Sequence, residues 1–200
     1  MKTGFAALGA LALLAGCGGG QTGGNDAGNA GAAVVNEEVP NAIVGNLADL
    51  PPTLDLAGEG LTLVQGAGGS REASFSQSRE MVVPLIASSV GEPIAQGTNA
   101  ECGAGPMDNV DFNGGLTLFF QDGKFVGWSV DGRNPTPYMT SNGIGIGSTL
   151  EALRATGDVS VQETSLGVEF TAGAISGLLT ANRPDGKITN LWAGTTCAFR

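Results

Sequence analysis

The chain has no histidine and few cations: its 200 residues include nine Lys and Arg against 19 Asp and Glu, for a formal net charge of −10. Histidine is the commonest general base and the commonest zinc ligand, so its absence argues against most hydrolytic and zinc chemistry. Nucleic acids and anionic lipid surfaces are bound through clustered Lys and Arg, so the charge argues against both. We therefore predict a protein that is not an enzyme, binds no nucleic acid and carries no metal or cofactor.

An apolar leader opens the chain, where Lys2 precedes an apolar stretch at 5–15 that is too short to span a bilayer. This stretch runs into Leu-Ala-Gly-Cys at 14–17. The tetrapeptide resembles the lipobox of bacterial lipoproteins, whose cysteine is lipidated and becomes the new N-terminus. The resemblance implies that residues 1–16 are a signal peptide and that acyl chains on Cys17 attach the protein to a lipid bilayer. The alternative is an ordinary secretory signal that happens to contain Cys17.

A Gly-rich segment follows the predicted lipidation site. In Gram-negative lipoproteins, a residue other than Asp after the cysteine usually implies the outer membrane, so Gly18 implies an outer-membrane protein that faces the periplasm. Residues 18–40 are rich in Gly, Asn and Ala and lack an amphipathic period, which predicts a flexible tether over 17–41. No later stretch reaches 18 apolar residues, and we expect lipid to be the only membrane attachment.

From residue 42 onward the chain alternates strand and helix patterns. A hairpin with one buried face is predicted over 53–64, where leucines alternate around a Gly-containing turn. A helix is predicted over 74–91, with Ser76 as its N-cap and with Pro84 either kinking it or starting a shorter helix. Short strands at 110–112, 115–120 and 124–130 follow, broken by the hairpin-forming dipeptides Asn113-Gly114 and Asp122-Gly123.

The second half of the chain repeats this order of elements. Ser148 and Glu151 have the spacing of a capping box at the start of a second helix. Four strands are predicted after it, at 159–163, 166–170, 175–181 and 187–193. The halves overlay with Phe75 on Ile146 and with Asp122-Gly123-Lys124 on Asp185-Gly186-Lys187. The offset falls from 71 to 63 residues along the overlay (146 − 75 and 187 − 124), and the two tryptophans differ from equivalent positions by one residue. The alternative is two unrelated meanders that share Asp-Gly turns.

This repeated order predicts an α+β fold of two tandem modules, at 42–132 and 133–200, each a helix packed on an antiparallel β-meander. Such an architecture resembles the tandem helix-on-sheet modules of β-lactamase inhibitor proteins and of small outer-membrane assembly lipoproteins, although the inhibitors' one disulfide per module is missing. A helix on one face of each sheet leaves the other face free. Two adjacent outer faces would form a broad, shallow binding surface.

Two cysteines remain once Cys17 is lipidated. In an oxidising envelope, Cys102 and Cys197 are expected to form a disulfide that closes a loop of 95 residue steps (197 − 102) and links the two modules. The alternative is a reactive thiol at Cys102, but the sequence offers no histidine or other nearby base to produce a thiolate.

Three groups of residues could carry chemistry, and each also has a plain structural explanation. The segment 64–72 lacks the third glycine of a dinucleotide loop and the Lys of a phosphate loop, so we interpret it as a turn. Asp108, Asp111 and Asn113 offer oxygen ligands of the kind that calcium uses, but not at EF-hand spacing. Carboxylates for a glycosidase are present without a spacing that singles out a pair, at Glu101, Asp108, Asp111, Glu163 and Glu169.

The loop between the predicted modules, 131–140, carries Arg133 and Tyr138, whose residue types are enriched at interfaces. We name these two residues as possible partner contacts. A simple linker is the alternative.

Together these features favour a non-enzymatic, membrane-anchored envelope lipoprotein that binds a protein or another envelope component. One alternative is an inhibitor of a periplasmic hydrolase. Another is a carboxylate-dependent enzyme acting on cell-wall material or polysaccharide, which would need a pair of buried acids in a cleft. A third is a small-ligand carrier, which would need a deep apolar pocket between helix and sheet, where we expect solid packing.

Overall fold

Antiparallel strands account for most of the regular structure in this computed structural model, which describes residues 52–66, 68–132 and 137–197. The predicted signal peptide, Cys17, the tether and Arg133 lie outside the described residues. Three strands come first, β1 (Thr53–Ala57), β2 (Gly60–Val64) and β3 (Ser70–Ser74), followed by helix α1 (Arg79–Val90). The remaining elements are β4 (Ala95–Asn99), β5 (Met107–Asp111), a 3₁₀ turn (Asn113–Gly115), β6 (Leu116–Gln121), β7 (Lys124–Asp131), α2 (Leu150–Arg154), β8 (Ser160–Thr164), β9 (Gly167–Ala172), β10 (Ile175–Leu179) and β11 (Ile188–Gly194).

The strands of the described chain form two sheets rather than two helix-on-sheet modules. A three-stranded sheet has the order β1-β2-β3, and an eight-stranded antiparallel sheet has the order β4-β5-β6-β7-β11-β10-β9-β8. The predicted α+β fold of two tandem modules is therefore wrong. Strands from both predicted modules belong to one continuous sheet, because β7 pairs directly with β11.

The segment 53–74 explains why separate modules do not form. Its buried side chains join one core cluster with the inner face of the large sheet; they are Leu54, Leu56, Leu61, Leu63 and Ala73. Trp128 of β7 donates its Nε1–H to the carbonyl oxygen of Ala57 at 2.9 Å, which ties the small sheet to the large one. Helix α2 has five residues. Such a helix is about 7.5 Å long, whereas four strands are about 14 Å across, so it cannot cover a meander alone.

Alternation along the strands decides which face of the large sheet is buried. In β6, Leu116, Leu118 and Phe120 are buried and the residues between them are half-buried. In β7, Trp128 and Val130 face the same side as these three, because Trp128 pairs with Leu118 and Val130 with Leu116. This inner face packs against the small sheet and the helices, and the opposite face of the large sheet is the outer face.

The large sheet consists of two four-stranded meanders, β4 to β7 and β8 to β11, which meet at their last strands. We refer to residues 75–132 as the first half and 146–195 as the second half. Equivalent backbone hydrogen bonds join the start of each helix to the last strand of its meander: Ser76 N to Phe125 O, Phe125 N to Gln77 O and Arg79 N to Gly123 O in the first half, and Gly147 N to Ile188 O, Ile188 N to Ser148 O and Leu150 N to Gly186 O in the second. The matching residues are offset by 71 on the helix side and 63 on the strand side, as in the sequence overlay.

Helix α1 begins two residues later than its predicted N-cap implies. Ser76 has a φ of 73° and turns the chain out of β3, and the N-cap is Ser78. Pro84 lies inside the helix on its exposed side. Proline has no N–H to donate to the Glu80 carbonyl, and water can satisfy that carbonyl there. The opposite side buries Val82, Leu85 and Ile86.

Helix α2 is capped one residue later than the predicted capping box. Its N-cap is Thr149, whose Oγ1 accepts a hydrogen bond from the Ala152 N–H at 3.1 Å. Ser148 instead accepts a hydrogen bond from the Gly145 N–H at 3.1 Å, which stabilises the preceding turn. The cap therefore serves a helix of little more than one turn.

Candidate functional site

The outer face of the large sheet carries hydroxyl-bearing side chains around one tryptophan. The strand register aligns six residues, which we term the central row: Asp111, Thr117, Ser129, Trp192, Ser176 and Thr171. They alternate along their strands with buried residues such as Val110, Leu118 and Trp128, so the row points away from the core. None of the six is fully buried.

Trp192 lies in the middle of the central row. Its direct cross-strand partners are Ser129 on β7 and Ser176 on β10. Because both neighbours are small, the indole ring is only half-buried, whereas Trp128 is fully buried on the inner face. A partly exposed indole among short polar side chains provides a large apolar contact area with a polar surround.

The charged groups at the centre of this face are carboxylates. Asp111 accepts hydrogen bonds from Asn109 Nδ2 at 3.0 Å and from Thr117 Oγ1 at 2.8 Å, so its carboxylate has a fixed orientation. Asp131, at the end of β7, is half-buried. Lys124, the first residue of β7, is the only Lys or Arg in the eight strands. The face is therefore acidic and rich in hydroxyl groups.

Tyr138, predicted as a partner contact, is a buried residue that forms a wall of a cleft. Its side chain is 4% exposed, and its hydroxyl donates a hydrogen bond to the Asn113 carbonyl oxygen at 2.6 Å. Burial raises the pKa of Tyr138, because a phenolate would lose its hydration there. The cleft, of about 500 Å³, lies between β1, the end of α1 and the loop at 137–139. Met139, at its edge, is 48% exposed.

The acids considered for calcium or for glycoside hydrolysis are not brought together. Asp108 and Asp111 are three residues apart in β5, so they lie on opposite faces of the sheet. Asp108 contacts Arg79 at 3.5 Å and accepts a hydrogen bond from Thr98 Oγ1 at 2.6 Å. Among the described residues, Glu169 is the one buried acid, and no three His, Cys, Asp or Glu side chains cluster as a metal site.

The other residues singled out from the sequence lie in turns or at an edge of the sheet. Glu101 and Glu163 are exposed, and Asn113 begins the 3₁₀ turn before β6. The Gly-rich segment joins β2 to β3, where the Gly68 N–H donates a hydrogen bond to the Gln65 carbonyl oxygen at 2.9 Å. That segment is a hairpin turn and does not adjoin the central row.

Cys102 and Cys197 lie at disulfide distance, with 5.4 Å between their Cα atoms. Asn99 Nδ2, at the end of β4, donates a hydrogen bond to the Cys197 sulfur at 3.2 Å. The bond would connect the loop before β5 to the segment after β11, and so would join the two halves as the sequence predicts. Within the described ranges, no helix has the length and apolar character needed to cross a membrane.

No family model, no curated protein and no solved structure matches this chain.

The central row was missed in the sequence, although part of its signal was visible there. Thr117 and Ser129 are polar positions between apolar neighbours, which is the pattern of a strand with one solvated face. Trp128 and Trp192 miss equivalent positions by one residue. In a strand, a shift of one residue places a side chain on the opposite face, so this mismatch indicates one inward and one outward tryptophan.

Proposed function

We propose that the chain is a non-enzymatic, lipid-anchored envelope protein that binds a protein partner through the outer face of its eight-stranded sheet. The observation that carries the proposal is the central row, with a half-buried tryptophan between small hydroxyl side chains. Interface centres of protein complexes are enriched in aromatic residues of this kind, surrounded by polar groups. The lipobox at 14–17 supports attachment through Cys17 and a position on the outer membrane, facing the periplasm.

The charge of the outer face indicates the chemistry of the partner. Asp111 contributes a carboxylate whose orientation is fixed by two hydrogen bonds, and Lys124 is the only cation in the eight strands. A partner surface that supplies Lys or Arg and hydrogen-bond donors would complement this face. Because exposed ion pairs are screened by salt, binding should weaken as the ionic strength rises.

A carboxylate-dependent enzyme has no observation in its favour within the described residues. That alternative needs two buried acids in one cleft, whereas Glu169 is the one buried acid there. An inhibitor of a periplasmic hydrolase would be a particular case of protein binding, and it would use the same surface.

Site-specific crosslinking tests the surface. A photo-crosslinking side chain at Ser129 should capture a defined partner in the native envelope, and the same side chain at Ser165, in the exposed turn between β8 and β9, should not. Trp192→Ala should remove the adduct at Ser129 without changing the circular dichroism spectrum. Equal crosslinking from both positions, or an adduct that survives Trp192→Ala, would contradict the proposed surface.

The intact mass of protein recovered from the native envelope tests the anchor separately. Cleavage before Cys17 and the added mass of acyl chains are expected. A Cys17 thiol without acyl chains would contradict the anchor and leave the binding surface to be judged by crosslinking alone.

A further inference from the structure

An apolar cavity lies between the two layers of the fold, away from the outer face. It has a volume of about 290 Å³ and is bounded by the β1–β2 turn, the loop at 140–144, helix α2 and strands β9 to β11. Ile144, Leu153, Ile175 and Leu191 contribute apolar walls. The exposed residues Ser141, Asn142 and Thr156 lie at its mouth. Solid packing between helix and sheet was expected from the sequence.

The first half of the chain fills the equivalent space with aromatic rings. Leu191 corresponds to Trp128 at the offset of 63 residues (191 − 128). Ala172 corresponds to Phe112, because the residues before them, Thr171 and Asp111, hold equivalent places in the central row. Trp128 and Phe112 are buried, at 0% and 1% exposure. The second half thus has a smaller side chain at both positions.

Helix α2 is also shorter than α1, and it ends before the positions that correspond to the second half of α1. At the offset of 71 residues, Leu85 and Ile86 of α1 correspond to Thr156 and Gly157, beyond the end of α2. Leu85 and Ile86 are buried, whereas Thr156 and Gly157 are exposed. Two aliphatic side chains that fill the core of the first half therefore have no apolar counterpart beside the cavity.

The cavity opens to solvent at one end, so its apolar walls are left against water, which is unfavourable compared with contact to an apolar group. We infer that this cavity binds one aliphatic chain whose uncharged polar end lies at Ser141, Asn142 and Thr156. An apolar cavity of about 150 Å³ holds a benzene molecule, so one of about 290 Å³ has room for about ten to twelve carbon atoms. The described lining residues include no Lys or Arg, which favours a hydroxyl or an ester over a carboxylate.

Such a chain can come from a free fatty alcohol or from an ester-linked acyl chain of a neutral lipid. The probes are therefore straight-chain alcohols from hexanol to tetradecanol and, as the ester, dioctanoylglycerol. The protein is the full chain carrying Cys17→Ala, so that no acyl chain of its own can compete. Binding of dioctanoylglycerol as tight as that of octanol would point to a lipid ester, and binding of the alcohols alone would point to a free alcohol.

Calorimetry measures the affinity of each alcohol, and methyl NMR shows where in the protein it binds. Affinity should rise about fourfold for each added methylene, the factor for transfer of one CH₂ out of water, and should stop rising at about ten to twelve carbons, when the cavity is full. Decanoate and decylamine should bind more weakly than decanol. Chemical-shift changes should be confined to methyl groups that line the cavity, including those of Ile144, Leu153, Ile175 and Leu191.

Two variants that restore first-half residues test the location. Ala172→Phe should lower decanol affinity about tenfold or more and raise the melting temperature, because it fills the cavity. Thr156→Leu should lower decanol affinity by a similar factor, because it narrows the mouth and removes one of the polar groups there. Ser165→Phe adds a ring in the exposed turn between β8 and β9 and should leave binding unchanged.

Absence of saturable alcohol binding would overturn the inference. So would an affinity that continues to rise up to fourteen carbons and is unaffected by the cavity-filling variants, since that describes nonspecific partition. If Ala172→Phe does not fold, Thr156→Leu, at an exposed position, decides the question.

Discussion

Ser129 and Trp192 pair directly across β7 and β11, and each is the counterpart of the other in the repeated fold. Their positions differ by 63 residues (192 − 129), the offset that also relates Gly123 to Gly186 in the hydrogen bonds to the helix starts. The two-fold relation between the halves therefore passes through this pair. Since one member is serine, a single indole ring occupies the centre of the outer face.

The two tryptophans should respond differently to truncation. Trp128 is fully buried, and its indole N–H donates a hydrogen bond to the Ala57 carbonyl oxygen. Trp128→Ala should therefore lower the free energy of unfolding by about 3–5 kcal/mol. Trp192→Ala should lower it by less than about 1.5 kcal/mol, because the ring is half-buried on the outer face. Urea unfolding followed by circular dichroism measures both. Equal losses would contradict the placement of the two rings on opposite faces.

The N-caps of the two helices offer a matched pair of variants. Thr149 accepts a hydrogen bond from the Ala152 N–H, so Thr149→Ala should cost about 1 kcal/mol of unfolding free energy. Ser78, its counterpart, makes no such bond, and Ser78→Ala should cost less than about 0.5 kcal/mol. The backbone N–H of Glu80 and the side-chain hydroxyl of Ser78 instead donate hydrogen bonds to the Glu80 carboxylate and lower its pKa. A larger loss for Ser78→Ala than for Thr149→Ala, measured in urea, would contradict this difference.

Turn chemistry and the repeated order of elements were readable from the sequence because they depend on local residues. The hairpin predicted at Asp122-Gly123 is confirmed: the two residues have φ values of 49° and 71°, and Gln121 pairs with Lys124. The offsets of 71 and 63 between the halves recur in the backbone hydrogen bonds.

Strand assembly was not readable, because it depends on contacts between distant parts of the chain. Either edge of a four-stranded meander could pair with another strand, and nothing local in β7 or β11 selects the other as its neighbour. Strand β3 was missed because its sequence, Ser70–Ser74, has Ala73 as its one apolar residue and shows no clear alternation. Without β3, the small sheet cannot be inferred. The helices are then expected to cover the core in its place.

Reduction of the cysteine pair should destabilise the fold strongly. The bond closes a loop with a sequence separation of 95, for which chain entropy predicts a contribution of about 4–5 kcal/mol to the free energy of unfolding. Urea unfolding with and without reductant, in protein carrying Cys17→Ala, should show this difference. Cys102→Ser without reductant should reproduce most of it. Free thiols in protein recovered from the envelope, detected by alkylation, would contradict the pairing.

Tyr138 is the only tyrosine of the chain, so tyrosinate absorbance reports its ionisation directly. Burial raises the pKa of Tyr138 above the ordinary value of about 10, and the unfolded state therefore loses this proton first as the pH rises. The stabilisation by the neutral phenol is fully present below about pH 10 and is lost as the pH rises through the folded-state pKa. Tyrosinate absorbance of the folded protein should thus appear only above pH 10.

The variant Tyr138→Phe separates the contribution of the tyrosine hydrogen bond to stability from the contribution of its ionisation. Tyr138→Phe should cost about 1–2 kcal/mol at neutral pH, because the Asn113 carbonyl oxygen loses its donor. Above pH 10 the same variant should lose stability less steeply than the wild type, since it has no phenol to ionise in the unfolded state. Urea unfolding at several pH values measures both effects. Equal slopes above pH 10, or tyrosinate absorbance near pH 10 in protein that is still folded, would show that the phenol is open to water.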